Sequence, residues 1–182
     1  MGEKETFKHW IVVATFSKDI ERLELEKCTR PLKVGKIHTP SNLDDMTIGQ
    51  MVQMSDCKTG AQLFYGVCKV LLGMEVKEVD KCSAAEVVRF VGWVLGKVKI
   101  INELFDKAKS KPSDEEVRAG INQLKFGIFG LIDWYALRMG ITDHEEVTKV
   151  PWGRVYKCLD MDTRTNEYKK KLQKVYEDEH RK

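Results

Sequence analysis

The sequence predicts a mainly α protein, with about six helices in a bundle-like body and a small extended or β region at the N-terminus. Three observations carry this. From Met46 onward apolar residues recur every three or four positions, as one face of a helix requires. Ser/Thr-x-x-Glu boxes starting at Ser83, Ser113 and Thr142 mark helix starts. Before Met46 the texture differs: β-branched and aromatic residues cluster, Leu23-Glu24-Leu25-Glu26 alternates with period two, and Pro31 and Pro40 interrupt the chain.

Taken in order, residues 9–16, 23–26 and 32–37 read as short strands or extended segments, although residues 20–27 fit a short helix equally well. Thr47 caps a short helix through Ile48, Met51, Val52 and Met54, and a helix over 59–74 follows with Leu63, Phe64, Val67, Val70 and Leu71 on one face. The Ser83 box opens a helix over about 84–108. After a polar connector at 109–112, the Ser113 box opens another that runs to about Met139, where Gly140 supplies a left-handed cap. The Thr142 box begins a short helix that Pro151 stops or restarts, because proline has no N–H to donate. Residues 152–159 make about two turns, Asp160-Met161-Asp162-Thr163 breaks them, and a last helix over about 164–179 sets Tyr168, Leu172, Val175 and Tyr176 on one stripe. Three parts result: an extended or β region at 1–47, a helical body at 48–160 and an amphipathic C-terminal helix at 161–182.

With 182 residues the chain fits one domain, or one domain with appendages. Lys plus Arg is 31 and Asp plus Glu 28, so the net charge of +3 is a difference between two interspersed populations and demands no nucleic acid. Cys28, Cys57, Cys68, Cys82 and Cys158 are odd in number and form no C-x-x-C pair, which reads as reduced thiols, most of them small core residues. No apolar run approaches the roughly 20 residues of a spanning helix, since Arg89, Lys97 and Lys99 interrupt the best candidate, so no membrane is expected. Met1-Gly2-Glu3-Lys4-Glu5-Thr6 satisfies the myristoylation pattern, one short enough to match by chance.

Catalytic motifs are missing. His9, His38, His144 and His180 sit at no metal-ligand spacing, Asp160-Met161-Asp162 starts like a calcium loop but fails at Arg164, Thr165 and Lys171, and neither G-x-S-x-G nor a phosphate-binding loop occurs. No metal, cofactor or catalytic residue is therefore expected. Gly92, Gly96, Gly120, Gly127 and Gly130 would each cost about 1 kcal/mol of helix propensity, which points to close helix crossings or contact with a partner. Phe129, Trp134 and Trp152 are expected in a buried structural cluster joining the second long helix to the segment after Pro151. Asp133 lies among them, where an unpaired carboxylate is costly, and should face water or bond a neighbouring segment such as Arg154 or the Trp152 indole, a structural bond being favoured over a catalytic role. Lys169, Lys170, Lys171 and Lys174 could touch phosphates, although Glu177-Asp178-Glu179 dilutes that field and a solvated face fits it better.

Two stretches carry a resemblance. Residues 36–50, with Pro40 followed by Met46-Thr47-Ile48-Gly49-Gln50, resemble an element of small helical proteins of tailed bacteriophages. Ile132-Asp133-Trp134-Tyr135, continued by Gly140-Ile141-Thr142-Asp143 and by Val150-Pro151-Trp152, is similar to the ending of phage tail assembly chaperones and neighbouring morphogenesis proteins. The resemblance implies a non-enzymatic role in virion assembly or structure: a chaperone that leaves, or a component of head, neck or tail that stays. It implies partners among other phage assembly or virion proteins, with self-association into a homo-oligomer, in the host cytoplasm during assembly or in the virion. The competing readings are a helical nucleic-acid-binding adaptor and an enzyme whose site forms only in the fold. Partner contact should fall on Trp10, Ile11 and Val13 and on the stripe of Tyr168, Leu172, Val175 and Tyr176, since these are too apolar to stay solvated yet too few to form cores of their own.

Overall fold

The computed structural model describes residues 5–17, 28–57 and 60–180, and the protein is mainly α. Among the described residues there are nine α-helices and one two-stranded hairpin. The chain divides into two compact units, Met1–Ile101 and Asn102–Lys182. The boundary falls within one helix.

In the first unit, α1 (Phe7–Phe16) replaces the strand expected there. Phe7, Ile11 and Ala14 follow one another at helical spacing and are buried, while Val12 and Val13 are half exposed. β-Branched residues lower helix propensity by at most about 0.7 kcal/mol each, whereas burying a Phe or Ile side chain gains roughly 1.5–3 kcal/mol, so the docked face decides the conformation. The Phe7 ring lies 5.6 Å from Phe64, 5.4 Å from Tyr65 and 5.7 Å from Trp10. Its backbone is pinned too: Phe7 N–H donates to Cys82 O at 2.8 Å, and Ala84 N–H to Glu5 O at 2.9 Å.

The hairpin β1 (Lys33–Val34) and β2 (Ile37–His38) pairs Lys33 with His38 and Val34 with Ile37 within the segment expected to be extended. Gly35 turns it with φ +58°, a left-handed value that side-chain-bearing residues adopt only under strain. The Gly35 N–H donates to the Glu86 carboxylate at 2.8 Å. Arg30 donates to the carbonyls of Thr39 and Pro40, closing the base of the hairpin. The expected alternation at 23–26 lies outside the described residues.

Helix α2 (Ile48–Ser55) starts at Thr47, as expected, with a reciprocal box in which Gln50 N–H donates to the Thr47 hydroxyl and Thr47 N–H to the Gln50 side chain. Helices α3 (Gly60–Leu72) and α4 (Val76–Val79) follow, and the Tyr65 hydroxyl donates to Asp80 at 2.7 Å. Helix α5 (Ala84–Lys107) buries Val87, Phe90, Val91 and Val94 in its first half.

In the second unit the long helix expected after Ser113 is broken. The capping box holds, opening α6 (Asp114–Arg118), but Gly120 at φ +90° stops it. A 3-10 turn (Ile121–Gln123) intervenes, and α7 (Gly127–Met139) begins at another left-handed glycine. Gly140 ends α7 in the left-handed conformation expected of it. Helix α8 (His144–Thr148) is capped by Asp143 rather than Thr142. The break expected at 160–163 does not occur, and α9 (Trp152–His180) is continuous. Polar side chains break helices by competing for the backbone, and here they are occupied elsewhere: Asp160 pairs with Arg164, Asp162 with Arg138, and Thr163 donates to Ala108 O. The buried side chains of this unit are Phe105, Ala108, Ile132, Tyr135, Ala136, Val147 and Val155. No helix among the described residues is long and apolar enough to cross a membrane.

Phe7→Ala should destabilise the first unit by about 3–5 kcal/mol, since it empties a fully buried ring site; a chemical denaturation midpoint matching the parent would refute that seat. Alkali should act on the same unit. Burial pushes the Cys68 thiol up to about 12 from its ordinary 9.0, and burial with the Asp80 bond pushes the Tyr65 phenol to about 12 from 10.0. The folded state therefore holds these protons more tightly than the unfolded one. Their contribution is complete below about pH 9 and is lost as pH rises towards 12, so the denaturation midpoint should fall across that window and fall less in Cys68→Ala and Tyr65→Phe.

Candidate interaction surface

The stripe on α9 follows from spacing: beyond Arg164 the helix carries few apolar residues, and Tyr168, Leu172, Val175 and Tyr176 recur at three to four positions. Tyr168 is 63% exposed, Val175 51% and Tyr176 53%, while Leu172 is partly covered. These four side chains remain at the surface. Around them, Lys170 reaches Glu116 of α6 at 3.8 Å, and Lys174 helps hold the Glu115 carboxyl below its usual range, behind the stronger effects of backbone and Ser113 hydrogen bonds. The acidic first turn of α6 thus partly compensates the basic side of α9.

The N-terminal residues behave differently. Ile11 is buried, Trp10 packs edge-on against Phe64 at 5.6 Å, and only Val13 of the three is exposed. α1 spends its apolar face on its own unit.

The residues expected in one structural cluster are divided between pairings. Phe129 is exposed and stands edge-on to His144 at 5.1 Å. Asp133 bonds a neighbouring segment through His144, its Oδ1 lying 3.1 Å from His144 Nε2, a partner that spacing alone does not single out because His144 comes from the next helix. Trp134 packs on Tyr135, and Trp152 on Phe105 and Tyr156, with both tryptophans only partly covered. A stronger tie joins α7 to α9: Arg138 grips Asp162 with two parallel hydrogen bonds of 3.0 and 3.1 Å, which hold the guanidinium more firmly in its charged form.

Sequence reasoning missed a second apolar surface. Val117, Ile121, Leu124, Phe126, Ile128 and Leu137 are exposed in the second unit although all are large and apolar. Gly120 and Gly127 are the signal that could have found it, because they break the helical period that would otherwise assign these side chains to one buried face. Gly130 has a related use. A Cβ there would meet the Phe126 Cβ at 2.7 Å, so its bare backbone admits Phe126 one turn earlier, a close approach inside one segment rather than a helix crossing.

Elsewhere, a cleft of about 920 Å³ in the first unit is lined by Arg30, Lys33, Glu86 and Arg89 with Leu32 and Val88. Three of its four charged groups serve the fold: Glu86 holds Gly35, Arg30 holds two carbonyls, and Arg89 donates to the Thr29 hydroxyl at 2.8 Å. Among the described residues no three His, Cys, Asp or Glu side chains gather as metal ligands. No family model matches the chain, and neither a curated protein nor a solved structure does.

The surface and core assignments of the second unit make opposite demands. Phe105→Ala should cost about 3–5 kcal/mol, whereas Leu137→Ala, at 76% exposure, should stay within about 0.5 kcal/mol of the parent. Equal losses in urea denaturation would show that Leu137 is packed.

Proposed function

We propose that this protein is a non-enzymatic bacteriophage virion or assembly protein that works through protein–protein contacts, as a tail assembly chaperone or a structural component of head, neck or tail. The observation that carries the reading is the apolar stripe of Tyr168, Leu172, Val175 and Tyr176 left at the surface of a long helix. An amphipathic helix presenting anchors at three- and four-residue spacing fits a hydrophobic groove on another protein. The resemblance of residues 36–50 and of the stretch around Gly140 to small phage morphogenesis proteins supplies the class of partner.

The nucleic-acid reading rests on Lys169, Lys170, Lys171 and Lys174, which are exposed. Glu116 beside Lys170 and the acidic run at 177–179 weaken the field that phosphates would need, so protein contact is favoured.

Affinity capture from cells infected with the phage that encodes the chain should recover head, neck or tail proteins. The triple variant Tyr168→Ser, Val175→Ser, Tyr176→Ser should lose them while keeping its helical circular dichroism. Mass spectrometry of purified virions then separates the two roles, a structural component being present in stoichiometric copies and a chaperone absent. Recovery of no phage protein, or only of nucleic acid that salt removes, would overturn the proposal.

A further inference from the structure

Residues 114–129 are ordered by their own hydrogen bonds yet bury nothing. Every side chain from Asp114 to Phe129 is exposed, and Gly120 alone is partly covered. Within residues 117–129 stand Val117, Ile121, Leu124, Phe126, Ile128 and Phe129, with Leu124, Phe126 and Phe129 each more than half exposed. Taking about 200 Å² for the full surface of a large apolar residue, these six leave roughly 600 Å² in water, the upper end of what a monomer tolerates. The left-handed turns at Gly120 and Gly127 set the path that leaves them outside, and Phe126 is seated over Gly130.

We infer that the segment 114–129 is the contact by which two copies of this chain pair. The charge pattern points to a second copy, and the patch is large enough to pair one. Two such patches facing each other remove roughly 1,200 Å² of apolar surface from water, which by itself reaches the lower bound of a specific interface. The segment also carries its own complement, with Asp114, Glu115 and Glu116 at its start and Lys125 towards its end. In a two-fold antiparallel pairing each patch meets an identical one, and the acidic start of one copy lies against Lys125 of the second copy. Glu116 and Glu115 already have Lys170 and Arg118 as neighbours within their own unit, which leaves Asp114 as the group facing Lys125 of the second copy. A nucleic acid or an anionic membrane would be repelled by the acidic triplet. The inference concerns a face other than the α9 stripe and stands whether or not the assembly reading holds.

Analytical ultracentrifugation of the full chain tests it. The weight-average mass should rise from one chain to two across micromolar concentrations. Leu124→Ser with Phe126→Ser should raise the dissociation constant at least about tenfold while the circular dichroism of the parent is retained. Because that pair could disturb α7, a charge series gives a second reading: Lys125→Glu should weaken the dimer, and adding Asp114→Lys should restore it. A monomer at all concentrations, a dimer indifferent to the double substitution, or a charge swap that fails to restore pairing would each overturn the inference.

Discussion

One hydrogen-bonded ladder, α5, runs unbroken from Ala84 to Lys107 and supplies buried side chains to both units. In its first half, Val87, Phe90, Val91 and Val94 are fully enclosed, and Thr6, just before α1, pairs with Ser83 at its start in an isolated antiparallel bridge. Its last turns give Phe105, against which the rings of Trp152 and Tyr156 lean, and the helix is followed by Ala108, whose carbonyl takes the Thr163 hydroxyl. α5 is helical throughout because no proline interrupts it and the helix formers outweigh Gly92 and Gly96.

The two units use apolar residues differently. Among the described residues the first hides most of what it has, with Phe7, Val34, Ile48, Phe64, Val67 and Val79 wholly covered. The second carries many of its largest apolar groups outside, from Val117 through Phe129, Leu137 and Met161 to Tyr176. Composition alone cannot express this contrast, because exposed and buried residues are of the same types. Aromatic and aliphatic side chains kept in water across both a short-helix segment and a long terminal helix are the common ground of the functional proposal and the pairing inference.

Local rules made much of the fold legible, and non-local pairings hid the rest. The boxes at Thr47 and Ser113 and the cap at Gly140 lie where their sequence signatures put them, because each is complete within four or five residues. α1 was read as extended since its β-branched residues speak for a strand, and only docking against Phe64, more than fifty residues away, reverses that. The continuity of α9 past Asp160 and Asp162 depends in part on Arg138, which lies 24 residues earlier. Of the surface residues, the α9 stripe could be read because spacing and surrounding charge agree. Leu124 and Phe126 could not, because a helical reading of their neighbourhood places them inward until Gly120 is known to turn the chain.

The bareness of α9 beyond Thr163 also decides how the protein responds to heat. A helix half whose side chains, Leu172 apart, all face water draws its order from propensity and from neighbours such as Gln173 and Glu177, which join at 3.0 Å. An isolated stretch of that length is marginal in water. Warming should therefore fray it turn by turn from His180 inward, well before the enclosed clusters give way together, so a thermal trace of helix content slopes first and only then drops. A partner seated on those turns would convert the slope into part of the drop, making the shape of the melting curve itself a reporter of occupancy.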